Sequence, residues 1–217
     1  MKDSFLNKKF KYTYSGVWLY IVIANMLMFL ATYYTNIRFK GVPLLYWVSL
    51  IPGCVNELGW IWQFVTYMFV HGSFSHLFFN MFALVMFGRV IERELGSKEF
   101  LLFYFVCGIL GGMISYLFYL IQGVESAAIM GAPGCIYALL FLSAVLYPNA
   151  RLLLFFIIPV KMPVAVILYI AIEVVDQVVG LQGGVAHLIH LSCIAIAWIY
   201  IKLRFRLSPI AIWKDTL

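Results

Sequence analysis

The stretch HGSFSHLFFNMFAL, His71 to Leu84, places two polar side chains within an otherwise apolar run. His76 and Asn80 are four residues apart, so on a helix they share one face. Strongly polar groups inside a membrane-spanning helix are costly and usually face the interior of the bundle, where they mark function. A structural alternative stays open at this point, because Asn and His also join helices by hydrogen bonds.

The composition around this stretch is that of a membrane protein. The chain has 217 residues, of which 65% are hydrophobic and 11% charged, and its mean hydropathy is +0.99. Soluble domains have about 25% charged residues, so we interpret the chain as an integral membrane protein in the lipid bilayer. The four cysteines show no CxxC spacing, which argues against a disulfide framework and a zinc knuckle.

Six apolar runs have about the length that crosses a bilayer, roughly 20 residues. They predict an all-α fold, a polytopic membrane protein built as a bundle of six transmembrane helices. This membrane domain covers residues 16–203, with a long interfacial loop at 35–63, and lies between an N-terminal tail (1–15) and a C-terminal tail (204–217). The runs are Gly16–Tyr34, Phe64–Gly88, Phe100–Gln122, Gly131–Tyr147, Met162–Val179 and Gly184–Leu203.

The basic residues predict how the chain is oriented. Of the 15 Lys and Arg, only Arg38 and Lys40 fall on the side opposite the termini. By the positive-inside rule both termini are cytoplasmic, in the plasma (inner) membrane if the source is prokaryotic. The basic N-terminal region lacks a cleavage site, so we interpret it as a retained tail. The net charge of +6 follows from this distribution and indicates no nucleic-acid partner.

The stretch GAPGCIYALL is a glycine-rich turn that leads into the fourth apolar run. Gly131 and Gly134 flank Pro133, and such turns bring a backbone and one side chain close to a partner. A nucleophile would need a hydroxyl here, and the chain offers proline. Proline is itself favoured in the first turn of a helix, so the turn can persist without any reaction.

The remaining polar residues of the spans lie in their predicted outer halves. His187 and His190 are three apart in the sixth span, as are Glu173 and Asp176 in the fifth. The simplest arrangement that solvates all four histidines is a cavity between the second, fourth and sixth spans, with Glu173 deep enough to have an internal partner. Three glycines of the third span form a close-packing face of the GxxxG type: Gly108, Gly111 and Gly112.

Taken together, these motifs resemble the rhomboid family of intramembrane serine proteases. The resemblance rests on WQFVTYMFVHGSFSHLFFNMFALVMFG, ERELGS, GAPGCIYALL and AHLIH, in the family's order, over residues from about 57 to 200. It implies the six-span rhomboid fold. In that family a serine of a GxSG turn attacks the scissile carbonyl, and a histidine of an AHxxG stretch accepts the serine's proton.

The resemblance also assigns roles to individual residues. His187 matches the general base, and His76 and Asn80 match the donors that hold the oxyanion. Tyr137 matches the aromatic residue that packs against the base, and Glu92 matches the carboxylate of the loop between the second and third spans.

Three positions depart from the family pattern. Pro133 stands at the serine of GxSG and has neither a hydroxyl nor a backbone N–H, so the family's acyl-enzyme cannot form there. His190 stands at the glycine of AHxxG, and Gln63 at the arginine of a Trp-Arg pair. Cys135 is a poor substitute nucleophile, because it lies about 200° around the helix from position 133.

We therefore expect an inactive rhomboid-like protein that binds transmembrane segments of client membrane proteins and needs no cofactor. The alternative is a serine-type endopeptidase of the rhomboid family with a non-standard nucleophile. A minor alternative is a metal site, since imidazoles bind zinc readily. Its ligands would come from His71, His76, His187 and His190.

Overall fold

The computed structural model describes residues 10–154, 157–179 and 185–216 of the chain. Within these ranges, six side chains lie outside the description: Pro133, Gln177, Val179, Val185, Ala186 and His187.

The described residues form helices joined by short turns and two small hairpins. The first half of the chain contains α1 (Val17–Tyr33), β1 (Arg38–Phe39), β2 (Val42–Pro43), α2 (Leu44–Val48), α3 (Pro52–Leu58), α4 (Gln63–Thr66), α5 (Phe74–Ala83), α6 (Arg89–Leu95) and α7 (Ser97–Ile121). The second half contains α8 (Pro133–Leu146), β3 (Arg151–Leu154), β4 (Ile158–Lys161), α9 (Met162–Val179), α10 (Val185–Tyr200) and α11 (Pro209–Lys214). Two π-helical turns, Leu84–Gly88 and Ile201–Phe205, continue α5 into α6 and extend α10.

Several helices are suited to a bilayer. Three stretches are long and apolar enough to cross it, namely Phe74–Leu95, Ser97–Ile121 and Leu188–Phe205. Two further apolar helices are shorter, Val17–Tyr33 and Gly134–Leu146. These helices confirm the predicted all-α class of polytopic membrane protein, while the count of six spans stays a prediction.

The second predicted span differs from its expected form. The sequence predicted one continuous helix from Phe64, but the chain forms α4 and a 3₁₀ turn, Tyr67–Phe69, and then breaks before α5. Ser73 ends the break by capping α5, because its hydroxyl accepts a hydrogen bond from the backbone N–H of His76 at 3.1 Å.

Helix α8 lies at the centre of the bundle and packs against α7, α9 and α10. The close approach depends on glycines, as predicted for α7. A Cβ on Gly108 would lie 2.3 Å from Met68 Cε, and one on Gly112 would lie 2.8 Å from the Tyr67 ring. A Cβ on Gly111 would lie 2.2 Å from Cys193 Sγ, so only a hydrogen atom fits at these positions.

The loop predicted at 35–63 is folded. Its strands β1 and β2 pair antiparallel, with Arg38 opposite Pro43. Gln63 is fully buried; its Oε1 accepts the backbone N–H of Ile51 at 3.0 Å, and its Nε2 donates to the carbonyl of Tyr46 at 2.8 Å. The amide of Gln63 therefore ties the loop to α4. Three indole rings stack nearby, those of Trp47, Trp60 and Trp62.

A buried carboxylate fixes the start of α1. Glu92 accepts hydrogen bonds from the backbone N–H groups of Val17 and Trp18 at 2.9 and 3.0 Å, and from the hydroxyl of Ser97 at 2.6 Å. The first N–H groups of a helix have no partner within it, and a negative charge is favoured at that end. Glu92 thus joins the first helix to the corner between α6 and α7.

The C-terminal region packs against the bundle, where the sequence predicted a tail at 204–217. Arg204 forms a two-pronged ion pair with Glu99, with both N–O distances at 2.8 Å. Helix α11 follows, and the indole Nε1 of Trp213 donates to the carbonyl of Ala144 at 3.0 Å. Strands β3 and β4 form an antiparallel hairpin between the fourth and fifth apolar runs, with Arg151 opposite Lys161.

Candidate functional site

A cavity of about 440 Å³ opens between α5, α8 and α10. Its polar lining consists of His76, Asn80, Tyr119, Tyr137 and His190. The predicted convergence of the second, fourth and sixth spans thus exists for these residues. The segment before the turn at 131–134 supplies the other wall, with Ala128, Ile129 and Met130.

Helix α5 contributes His76 and Asn80, which line the cavity one helical turn apart. Asn80 is 6% exposed, and among the described residues its Nδ2 has no hydrogen-bond partner. A buried amide left in this state costs free energy, about 1–3 kcal/mol. Its donor is therefore available to an oxygen atom of whatever occupies the cavity.

His71 lies behind this wall. It is 1% exposed, and within the described part of the chain neither ring nitrogen has a hydrogen-bond partner. Its ring stands edge-on to that of His76, with the centroids 5.0 Å apart. The ring of His71 thus packs against the ring of His76.

Three helices meet at Glu173, which lies on α9 and is buried. Its Oε1 accepts a hydrogen bond from the hydroxyl of Tyr137 on α8 at 2.5 Å. The same oxygen lies 3.0 Å from Nδ1 of His190 on α10. The Tyr137 and His190 rings stack at 4.4 Å with an angle of 20° between their planes. The predicted internal partner of Glu173 is therefore the pair Tyr137 and His190.

The prediction that Tyr137 packs against His187 stays a prediction. The sequence paired Tyr137 with His187, but the ring stacked on Tyr137 is that of His190, one helical turn later. The side chain of His187 lies outside the described residues. Sequence reasoning named His190 but gave it no role beside Tyr137, because it stands at the glycine of AHxxG.

The residue at the close approach of α8 and α10 is Cys193. Its Sγ would lie 2.6 Å from a Cβ on Gly134 and 2.2 Å from one on Gly111. The imidazole at position 190 faces the cavity, while Cys193 lies at the helix crossing. A spacing signal was present in the sequence: a small residue follows His190 by three positions, as the glycine follows the histidine in AHxxG.

The turn at 131–134 forms as predicted for a helix start. Gly131 has a φ of 110°, a conformation that favours glycine, and its N–H donates to the carbonyl of Tyr67 at 2.9 Å. Helix α8 then begins at Pro133, whose side chain lies outside the description. Proline has no backbone N–H, so the first residue of α8 leaves no donor that would need a hydrogen-bond partner.

The neighbouring thiol does not reach the cavity. Cys135 is 2% exposed, and its Sγ lies 3.7 Å from the carbonyl oxygen of Tyr104, on the side of α7. This orientation agrees with the predicted rotation away from position 133.

A metal site gains no support from the described side chains. Among them, no group of three or more His, Cys, Asp or Glu could hold a metal ion. Of the four histidines considered, His187 lies outside that search.

The fold and the cavity together define a polytopic helical membrane protein with histidine and asparagine donors in an interhelical pocket. A family model described as the rhomboid domain matches residues 58–207. The chain belongs to the rhomboid family.

Individual relatives agree with this assignment. The chain is 34% identical over 162 residues to RHOMBOID-like protein 12, mitochondrial, of Arabidopsis thaliana, covering 65% of this chain and 47% of the relative. It is 29% identical over 137 residues to Rhomboid-like protein 11, chloroplastic, of the same plant, covering 63% and 44%. It is 39% identical over 83 residues to Rhomboid protease GluP of Bacillus subtilis, covering 38% and 16%. The chain thus spans less than half the length of each of these three relatives.

Proposed function

We propose that this rhomboid family member does not cleave peptide bonds and instead binds transmembrane segments of client membrane proteins. The observation that carries the proposal is Pro133, at the start of α8, where the family resemblance places the nucleophilic serine. Proline has no hydroxyl to attack a carbonyl and no backbone N–H to donate to an oxyanion.

The cavity around this position supports a binding role. It keeps a volume of about 440 Å³ and an unpartnered amide donor on Asn80. A client segment whose helix is interrupted by a turn would present free carbonyl oxygens, and the Asn80 amide and the His76 imidazole could bind them. Satisfying a buried donor of this kind favours binding by about 1–3 kcal/mol.

We further propose that His190, rather than His187, occupies the family's general-base position. Its stacking on Tyr137 and its contact with Glu173 support this assignment. Cys193 also supports this assignment, because it lies three residues after His190, where AHxxG has its glycine, and it packs at the crossing of α8 and α10.

Binding without cleavage can be tested with the full chain in detergent or liposomes. We expect saturable binding of fluorescent transmembrane peptides, no cleavage products by mass spectrometry, and no labelling by a fluorophosphonate probe. Asn80→Leu should weaken binding about fivefold or more, since it removes the free donor at a cost of ~1 kcal/mol or more. The matched control is Gln122→Leu, at the exposed end of α7. Cleavage that disappears in His190→Ala would overturn the proposal.

A second candidate is an intramembrane endopeptidase with a non-standard nucleophile. The contact between Glu173 and His190 favours it, because a carboxylate that orients an imidazole also makes it a better base. Cleavage of a substrate that persists in Cys135→Ser and is lost in His190→Ala would support this candidate.

We also propose that both termini face the cytoplasm. The ring of Phe10 lies 5.3 Å from the guanidinium carbon of Arg204, so the N-terminal region and the end of α10 lie on one side of the bundle. That side carries most of the basic residues. Reporter fusions at the two ends should both give a cytoplasmic signal, and a fusion in the loop after Tyr34 should give the opposite one.

A further inference from the structure

A second cavity, of about 590 Å³, lies on the flank of the bundle. One wall is the face of α5 and the π-helical turn from Phe79 to Phe87, and another is α8 with Leu140. Strand β3 closes one end with Arg151 and Leu152. We call this cavity the flank groove. Its lining is mostly apolar, and its polar side chains are those of Arg151, Asn80, Tyr137 and Tyr169.

The flank groove opens towards the lipid. Phe79 is 60% exposed, and Phe82 and Met86 are each 40% exposed along the same wall. In a protein of this class such side chains face hydrocarbon rather than water, so the molecule that fills the groove comes from the bilayer.

The length of the groove selects an acyl chain over a transmembrane helix. From Phe79 to Phe87 a helix rises about 12 Å, at about 1.5 Å per residue. That is less than half of the hydrocarbon thickness of about 30 Å. A lipid chain of one leaflet has this reach, whereas a spanning helix would extend well past both ends of the groove.

The charge at the end of the groove selects the headgroup. Arg151 is exposed, and in the part of the chain that the structure describes it has no carboxylate partner. Its partner across the hairpin is Lys161, whose Nζ already donates to the carbonyl of Thr216. Arg151 is therefore the groove's own cation, and a guanidinium binds a phosphate through two parallel hydrogen bonds.

We propose that the flank groove is a binding site for an anionic phospholipid. One acyl chain lies between α5 and α8, and the phosphate pairs with Arg151 at the predicted cytoplasmic surface, where anionic lipids are enriched. The groove shares Asn80 and Tyr137 with the client cavity, but its pairing of a phosphate with Arg151 involves no cleavage step.

The test uses the full chain in nanodiscs that contain equal amounts of phosphatidylglycerol and phosphatidylcholine. Native mass spectrometry should show phosphatidylglycerol retained in preference to phosphatidylcholine. Arg151→Gln should reduce this preference about fivefold, the effect of one basic residue at a membrane surface. Lys98→Gln, which removes an exposed charge from the same predicted side and does not line the groove, should leave the preference unchanged.

Two further measurements test whether the acyl chain, as well as the phosphate, binds in the groove. Ala83→Trp fills the groove from its wall and should lower the retention of both lipids, while circular dichroism verifies that the variant is folded. Soluble glycerol phosphate should not displace the lipid, because it lacks the acyl chain. Equal effects of Arg151→Gln and Lys98→Gln, equal retention of the two lipids, or displacement by glycerol phosphate would each overturn the proposal.

Discussion

Glu173 Oε1 lies 3.0 Å from His190 Nδ1, and this contact joins α9 to α10 beside the cavity. The same oxygen accepts the Tyr137 hydroxyl, so one carboxylate connects three helices. Glu173 is buried, whereas Tyr137 and His190 also line the cavity, so the carboxylate holds both groups at the cavity wall.

Replacing Glu173 should therefore destabilise the bundle. We expect Glu173→Ala to lower the free energy of unfolding by ~1–3 kcal/mol, because it removes the acceptor of the Tyr137 hydroxyl and the carboxylate beside His190. Glu173→Gln should lower the free energy of unfolding by a smaller amount, since its amide oxygen still accepts a hydrogen bond. Thermal unfolding in detergent measures both variants, and equal losses would show that the acceptor is irrelevant.

Restoring a serine tests which histidine is the base. We expect Pro133→Ser to react with a fluorophosphonate probe where the natural chain does not. Adding His190→Ala should abolish the labelling, because His190 stacks on Tyr137 at the cavity. Adding His187→Ala to Pro133→Ser should leave most of the fluorophosphonate labelling. The reverse dependence would return the base assignment to His187.

The crossing of α7, α8 and α10 should not tolerate a methyl group. Gly111→Ala and Gly134→Ala place a Cβ 2.2 and 2.6 Å from Cys193 Sγ, so each should cost ~1–3 kcal/mol of stability through overpacking. Gly72→Ala is the control, since its nearest contact would be an ordinary 3.8 Å. Cys193→Ala should rescue Gly111→Ala in part. If Cys193→Ala does not restore stability to Gly111→Ala, the strain does not come from the Cys193 thiol.

The capping role of Glu92 gives a further expectation. Glu92→Ala removes the acceptor for two backbone N–H groups of α1 and for Ser97, and should cost ~1–3 kcal/mol. Glu57→Ala, at an exposed position of α3, should change stability by less than ~0.5 kcal/mol. Unfolding of both variants in the same detergent compares them directly, and similar losses would contradict the cap.

Hydropathy predicted much of this fold because it reports the long apolar helices directly. The predicted run Met162–Val179 coincides with α9, and the run Gly131–Tyr147 differs from α8 by only a few residues. Hydropathy could not predict the break before α5, because an average over the length of a span hides the short polar stretch 71–73 between two apolar runs. It also missed α11, whose packing depends on Trp213 reaching Ala144 across the bundle.

The sequence predicted the His76 and Asn80 part of the candidate site, but it did not predict that His190 stacks on Tyr137. His76 and Asn80 followed from their spacing on one helix, since a turn of helix fixes which residues share a face. Whether His187 or His190 meets Tyr137 depends on the rotation of α10 about its axis. That rotation is set by Cys193 at the helix crossing and by Glu173 on a third helix.

The start of α8 at Pro133 has a genetic consequence. Serine codons of the TCN group and proline codons differ only at their first base, and both residues suit the first turn of a helix. A point mutation can therefore exchange a nucleophile for an inert residue without changing how this helix begins. If the exchange leaves the helix start intact, the abundance of such a protein is no guide to its catalysis.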